Sequence, residues 1–335
     1  MFRALLVDRD GDEVTCDLAD LTDDDLPSVG DDDDDPEVLV DVEYSTVNYK
    51  DALAVTNSSP IVRSWPMVPG IDLAGTVAAS DDPDVQVGQR VVVNGWGIGE
   101  DTWGGFAERA RVRGSWTVPL PDGLSTAEAM AIGTAGYTAI LCVLALEDHD
   151  ITPEKGPVLV TGAVGGLGSV AVALLSSRGY EVHASTGRPE EAEYLESLGA
   201  TTIVERGELS GAGGRPLARA RWAGAVDGVG SHTLANVLAQ IQPEGCVAAC
   251  GLAQGADLTA SVMPFILRGV TLRGVHSVYV PQARRLESWA RLDEDLDRDL
   301  LSSMSSTIDL ADVPAIAAEV LAGRIRGRTV VDLAT

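Results

Sequence analysis

The residues in this chain best placed to do chemistry are glycines. Val158-Leu159-Val160-Thr161-Gly162-Ala163-Val164-Gly165-Gly166-Leu167-Gly168-Ser169 reads as an apolar strand, a glycine turn and the start of an apolar helix. Glycines let a chain turn sharply and let backbone N–H groups approach a pyrophosphate, while the helix N-terminus adds partial positive charge. The pattern predicts a dinucleotide site at Val164, Gly165, Gly166 and Leu167. The next strand, residues 181–184, runs into Ser185-Thr186-Gly187-Arg188 with no carboxylate at its tip. A carboxylate there would accept from the ribose 2′-hydroxyl of NAD, whereas an arginine meets a 2′-phosphate with charge-assisted hydrogen bonds. Thr186, Gly187 and Arg188 therefore point to NADPH. The competing reading is a surface arginine paired with Glu190 or Glu191.

Metal chemistry has little to work with. His149, His183, His232 and His276 show no ligand spacing, and Cys16, Cys142, Cys246 and Cys250 contain no CxxC pair. No metal is expected. Unpaired thiols in apolar stretches fit a reducing cytoplasm. Cys246 and Cys250, four apart, are read as sharing one buried face of a strand.

These residues need a frame. Residues 1–126 contain short β-like runs punctuated by Pro and Gly, as in a β-rich domain or partly open barrel. From Ser125 the pattern changes. Ser125-Thr126-Ala127-Glu128 resembles a capping box opening an Ala-rich helix. Strands at 158–161, 181–184, 223–227, 246–250 and 270–275 then alternate with helical stretches, which predicts a parallel sheet covered on both faces. Residues 313–323 read as an amphipathic helix, and 328–333 as a strand closer in character to the first domain. The nucleotide domain, 127–276, is thus expected to be inserted between 1–126 and 277–335.

Charge limits the partners. The chain has 335 residues, 51 Asp+Glu against 24 Lys+Arg, and a formal charge of −27. Such a surface repels nucleic acid and anionic membranes. No signal peptide and no apolar run of membrane-spanning length is read from it. Asp outnumbers Glu 32 to 19, and the only lysines are Lys50 and Lys155. This bias is expected of a halophilic protein, because at 1 M salt the Debye length falls to roughly 3 Å and the acids barely repel. The acidic tracts at Asp23–Asp25 and 31–35 read as one solvated loop.

Asn48-Tyr49-Lys50-Asp51, Pro69-Gly70-Ile71-Asp72-Leu73-Ala74-Gly75 and the glycine turn, in that order, resemble the medium-chain dehydrogenase/reductase superfamily. Zinc-dependent members carry Gly-His-Glu where this chain has Gly70-Ile71-Asp72. Ser45–Ala54, Gly95–Glu100 with Trp103-Gly104-Gly105, 132–136, 262–268 and Gly327-Arg328-Thr329 are similar to the acrylyl-coenzyme A reductase group, formerly called YhdH-type quinone oxidoreductases. The resemblance implies an α/β fold, with a Rossmann doubly wound parallel sheet inserted in a β-rich, GroES-like catalytic domain. It also implies zinc-independent, NADPH-dependent reduction of acrylyl-CoA to propionyl-CoA by a homodimer. Val164 departs from the pattern, since many relatives carry a small polar residue there. The alternatives are a reductase of quinones or small enones and a non-catalytic NADPH-binding protein.

Hydride transfer to an unsaturated thioester leaves an enolate, so the protein must orient reactants and aim donors at the thioester oxygen. Tyr49 is the expected donor near nicotinamide and substrate, with Asn48 and Asp51 shaping its loop. Its alternative is a half-buried packing residue. Thr134 either lies beside the nicotinamide, as the resemblance implies, or caps a helix. Gly228 and Leu252 follow strands 223–227 and 246–250 at the cofactor-binding edge. Arg284, Arg328 and Val270 are cofactor contacts only by resemblance. Trp96 and Trp103 either wall the pocket or plug the core. Coenzyme A brings phosphates to an acidic protein, and Arg63, Arg109, Arg111 and Arg113 are the candidates to meet them.

Overall fold

The computed structural model describes residues 1–11, 13–29 and 35–334, so 31–34 of the second acidic tract lie outside the described residues. The chain forms two compact units. The first comprises Met1–Thr134, Val278–Asp293 and Leu301–Thr335; the second comprises Ala135–Ser277 and Glu294–Leu300.

The first unit is built around the strand Glu37–Thr46. Its period-two pattern buries Val38, Val40 and Val42 beside Leu73, Val77, Val91 and Phe106. It pairs antiparallel with Asp72–Ser80, with Arg109–Arg113 and with Arg328–Asp332 near the C-terminus. Val330 lies opposite Thr46, so the end of the chain completes the sheet begun near its start. Asp23–Asp25 is a short 3-10 turn capped by Thr22 rather than open loop.

The second unit holds six parallel strands in the order Ala200–Glu205, Val182–Thr186, Val158–Thr161, Trp222–Asp227, Ile241–Ala249 and Thr271–Gly274. Val158–Thr161 and Trp222–Asp227 are buried throughout, as central strands covered on both faces must be. The chain leaves Val158–Thr161 in one direction and returns on its other side at Trp222–Asp227. That reversal is the switch point where doubly wound sheets bind ligands.

Three further features differ from the sequence reading. The strand Ala200–Glu205 was unread: it lies at the sheet edge, half exposed, and its Thr-Thr-Ile-Val lacks a core strand's apolar run. Cys250 falls just beyond Ile241–Ala249 and is half-buried, so it does not share a strand face with buried Cys246. Finally, among the described residues one helix is long and apolar enough to cross a membrane. The helix Thr126–Glu147 passes that test, but 89% of its apolar window is buried inside the protein. The Ser125–Glu128 capping box opens it, with Ser125 Oγ donating to Glu128 Oε2 at 2.6 Å and the Glu128 N–H donating back at 3.2 Å. Gly133 breaks it, at φ +50° and ψ −164°.

Candidate active site and cofactor cradle

In the second unit the glycine turn is held from several sides. Gly162 takes φ +61°, a conformation costly for any residue with a side chain. Gly165 precedes the helix Gly166–Ser177, and no side chain caps that end. A Cβ at Gly168 would collide with the Gly162 carbonyl, so helix and turn pack closely only with glycine there. Ser169 Oγ lies 3.2 Å from Ala163 O and accepts from the Tyr194 hydroxyl at 2.9 Å. Thr161 Oγ1 donates to Asp227 at 2.7 Å and accepts from the Gly228 N–H at 3.2 Å, which ties the two switch-point strands together. Burial raises the Asp227 carboxyl above its usual value, opposed by hydrogen bonds from Thr161 and the Gly230 and Val229 backbone.

At the tip of Val182–Thr186, the Arg188 N–H donates to Thr186 Oγ1 at 2.9 Å. The Arg188 guanidinium lies 3.9 Å from Glu191, within ion-pair reach, as the surface reading expects. A Cβ at Gly187 would strike the Arg206 guanidinium, which places a second arginine against the same tip. Arg206 was missed in the sequence because it follows the unread edge strand. Backbone donors at the glycine turn, two arginines at the adjacent tip and open space beside Gly228 fit a phosphorylated dinucleotide.

Other expected contacts land differently. Val164 is buried, so only its backbone is available to a ligand. Leu252 is 63% exposed just past the fifth strand of the sheet, whereas Val270 is 5% exposed and packs in the core with Trp222 and Ile241. Val270 is therefore a packing residue. Arg284 belongs to the first unit and pairs with Glu287 at 2.8 Å.

In the first unit, Asn48 and Asp51 form a capping box on the short helix Tyr49–Val55. Tyr49 stands at its first position, 54% exposed. Beneath it lies a sealed polar cluster. Asn48 Nδ2 donates to Asp51 at 3.0 Å and Asp72 at 2.7 Å, bridging two fully buried carboxylates. Asp72 also accepts from the Thr134 N–H at 2.8 Å and Thr134 Oγ1 at 2.5 Å. Thr134 resumes the helix after the Gly133 break, and Asp72 caps it from a distant strand. Arg328, 3% exposed, donates to Ala131 O at 3.0 Å and Thr46 Oγ1 at 2.9 Å. A Cβ at Gly133 would lie 2.6 Å from Arg328 Nη2 and 3.0 Å from Asp72, so the break leaves no room for a side chain.

Burial, then the charge of Asp72, pushes the Asp51 carboxyl up to about 7. Burial raises Asp72 as well, opposed by Thr134, Asn48 and Arg328. Burial lowers the Arg328 guanidinium, and the two aspartates pull it back. Arg328, expected at the cofactor, is thus occupied as the counter-ion of this cluster. Trp96 packs against the core with the Arg285 guanidinium 4.5 Å from its ring centre, and Trp103 donates to Pro66 O at 2.9 Å.

The four arginines offered for coenzyme A are all engaged. Arg109 pairs with Asp23 at 2.6 Å and Asp41 at 2.8 Å, while Arg63 meets Asp101, Arg111 meets Glu37 and Arg113 meets Asp35 at 3.5–3.6 Å. No group of three or more His, Cys, Asp or Glu is placed to hold a metal among the described residues.

Residues 34–122 match the alcohol dehydrogenase GroES-like domain, and residues 166–292 match the zinc-binding dehydrogenase family. Acrylyl-CoA reductase AcuI of Ruegeria pomeroyi is 53% identical over 335 residues, with 99% of each chain covered. The yhdH oxidoreductase of Salmonella enterica, solved in complex with NADP, superposes with a TM-score of 0.94 at 51% identity, covering 98% of this chain and 99% of that one. Bacillus subtilis yhfP, solved with NAD bound, gives 0.93 at 43% identity, with 99% of each covered. The chain belongs to the medium-chain dehydrogenase/reductase superfamily, in the group that includes acrylyl-CoA reductase AcuI.

Proposed function

We propose that this protein is an NADPH-dependent reductase of the C=C bond of acrylyl-CoA. The observation that carries the reading is the pairing of a glycine cradle and two tip arginines with 53% identity, over the full length, to a named acrylyl-CoA reductase. The second unit acts as the nucleotide domain and the first as the catalytic domain. Bound NADPH supplies the hydride that adds to the β-carbon of acrylyl-CoA, with one proton taken up at the α-carbon, so that propionyl-CoA and NADP+ result. The glycine turn and the N-terminus of Gly166–Ser177 hold the pyrophosphate, and Arg188 and Arg206 hold the 2′-phosphate. Tyr49, fixed by its capping box yet exposed, donates its O–H to the oxygen on which enolate charge develops. Thr134 gives its own proton to Asp72, so it serves a ligand as acceptor. The buried cluster holds both residues still and reorganises little during reaction.

Several supports extend the reading. The exposed Val262, Ile266 and Leu267 adjoin Thr271–Gly274, which ends its sheet with one edge unpaired. A second copy of the chain covers them, giving a homodimer that light scattering detects as twice the chain mass. Free thiols favour a reducing cytoplasm. In the decisive assay, NADPH and acrylyl-CoA yield propionyl-CoA by mass spectrometry, one per NADPH consumed. Tyr49→Phe should lower kcat by roughly 100-fold, the scale of removing one such donor.

A further inference from the structure

Most arginines of this acidic chain are tied to carboxylates or backbone carbonyls; Arg215 is an exception. It has no ion pair or hydrogen-bond partner among the described residues. It lines a cavity of about 330 Å³ wholly within the second unit, together with His232, Asn236, Thr259, Ser261 and the glycines of the loop 211–214. No Asp or Glu lines this cavity, in a chain with 51 of them. The Arg215 guanidinium and the glycine-rich backbone supply donors to a concavity free of carboxylates, the complement of an anion, while His232 Nδ1 lies 3.4 Å from Thr259 Oγ1.

Its place in the fold is equally specific. Its walls come from three connections that leave the carboxyl edge of the parallel sheet. The loop bearing Arg215 follows Ala200–Glu205, the helix Ser231–Leu238 bearing His232 follows Trp222–Asp227, and residues 259–264 follow Ile241–Ala249. Ligands of doubly wound sheets bind along that edge. The connections are also fixed to one another. Asn236 Nδ2 donates to Leu209 O at 2.7 Å and Gly211 O at 2.8 Å, and Gln254 accepts from Thr233 Oγ1 at 2.8 Å and donates to Ser210 O at 3.0 Å. The cavity is a built concavity between braced loops.

We propose that this cavity is a phosphate-binding subsite, and that it holds the nucleotide phosphate of the coenzyme A thioester. The proposal rests on the acyl-CoA reading above. It resolves a difficulty that reading creates, since the thioester carries several negative charges into an acidic protein whose other candidate arginines are paired. Arg188 and Arg206 already serve the cofactor's own phosphate, which leaves Arg215 for the substrate.

The test compares acrylyl-CoA with acrylyl-pantetheine, which keeps the reacting thioester and lacks the nucleotide. Arg215→Gln should raise the KM for acrylyl-CoA by about tenfold or more, as loss of a charge-assisted hydrogen bond does. It should leave kcat, the KM for acrylyl-pantetheine and the KM for NADPH unchanged. Arg215→Lys, which keeps the charge, should restore part of the loss. Arg219→Gln makes the same change in net charge outside the cavity and should behave as wild type. Adenosine 3′,5′-bisphosphate should compete with acrylyl-CoA at saturating NADPH in the wild type and lose potency in Arg215→Gln, and inorganic phosphate should compete far less. Equal losses with both thioesters, a raised KM for NADPH, or no change in either would overturn the proposal. A wild type that reduces acrylyl-pantetheine as well as acrylyl-CoA also overturns it while leaving the thioester reading intact. A wild type inactive on both thioesters overturns the function itself.

Discussion

The two units treat their charged groups in opposite ways. In the first unit Asp51, Asp72 and Arg328 are sealed in, and each is satisfied by protein partners. In the second, Arg206 stands against Gly187 and Arg215 lines a cavity, each with no ion pair among the described residues. The first arrangement stiffens a loop and a helix break. The second leaves charged donors without a protein partner among the described residues. Charge in this molecule is thus matched where it is buried and unmatched at Arg206 and Arg215, which under the proposed function are groups that meet ligands.

Substitutions can break this contrast, and the largest effect should be in the sealed cluster. Arg328→Met leaves two buried carboxylates without their counter-ion and should destabilise the protein by about 3–5 kcal/mol, read by denaturant unfolding. Arg206→Gln should leave unfolding unchanged. If Arg206→Gln were the more destabilising of the two, the contrast would be wrong. Conversely, Arg188→Gln and Arg206→Gln should each weaken NADPH binding by about 1.5–3 kcal/mol, the worth of a hydrogen bond to a charged group. NADH, which lacks the 2′-phosphate, should be almost unaffected in a titration of cofactor fluorescence.

Titration gives a third handle. The Asp51 carboxyl is pushed up to about 7 in the fold, against an ordinary aspartate value of 3.8. Between those values the folded state holds a proton that the unfolded state has released. The stability from this group is therefore fully present below about 3.8 and is lost as pH rises through about 7, at no more than about 1.4 kcal/mol per pH unit. Asp51→Asn should be less stable overall, yet flatter in its pH dependence across that window. An unchanged slope would mean that Asp51 does not carry the proton. The smallest and most diffuse effect concerns the surface. If its acids are an adaptation to salt, melting temperature should rise between ~0.1 M and ~2 M salt, where the Debye length shrinks several-fold, and an unchanged one would refute the adaptation.

Much of the second unit was legible because its signals are local. The turn at 162–168 writes its strand, glycines and helix into twelve consecutive residues, and the capping box at Ser125 needs only four. Arg188 was readable from the missing carboxylate at the strand tip. Arg206 was not, because recognising it required the strand Ala200–Glu205, whose edge position removes the apolar run that marks a core strand. The cluster beneath Tyr49 was only half visible. Asn48 and Asp51 lie three apart, but Asp72, Thr134 and Arg328 join them from segments up to 280 residues away. No local pattern announces such a meeting, and the resemblance assigned Arg328 to the cofactor instead. The same limit hid the core packing of Val270 and the carboxylate that stands beside each arginine offered for coenzyme A.

The central claim is that a reserved set of donors in the second unit serves NADPH while the braced loop of the first serves an acyl thioester. Initial rates of NADPH oxidation at 340 nm with acrylyl-CoA, a free enone and a quinone, each at several concentrations, test it most directly. The account predicts a kcat/KM for acrylyl-CoA higher than for either free acceptor by at least about tenfold, or ~1.4 kcal/mol of transition-state preference. Equal values would make the protein a general enone or quinone reductase, and cofactor binding without turnover of any acceptor would contradict the account outright.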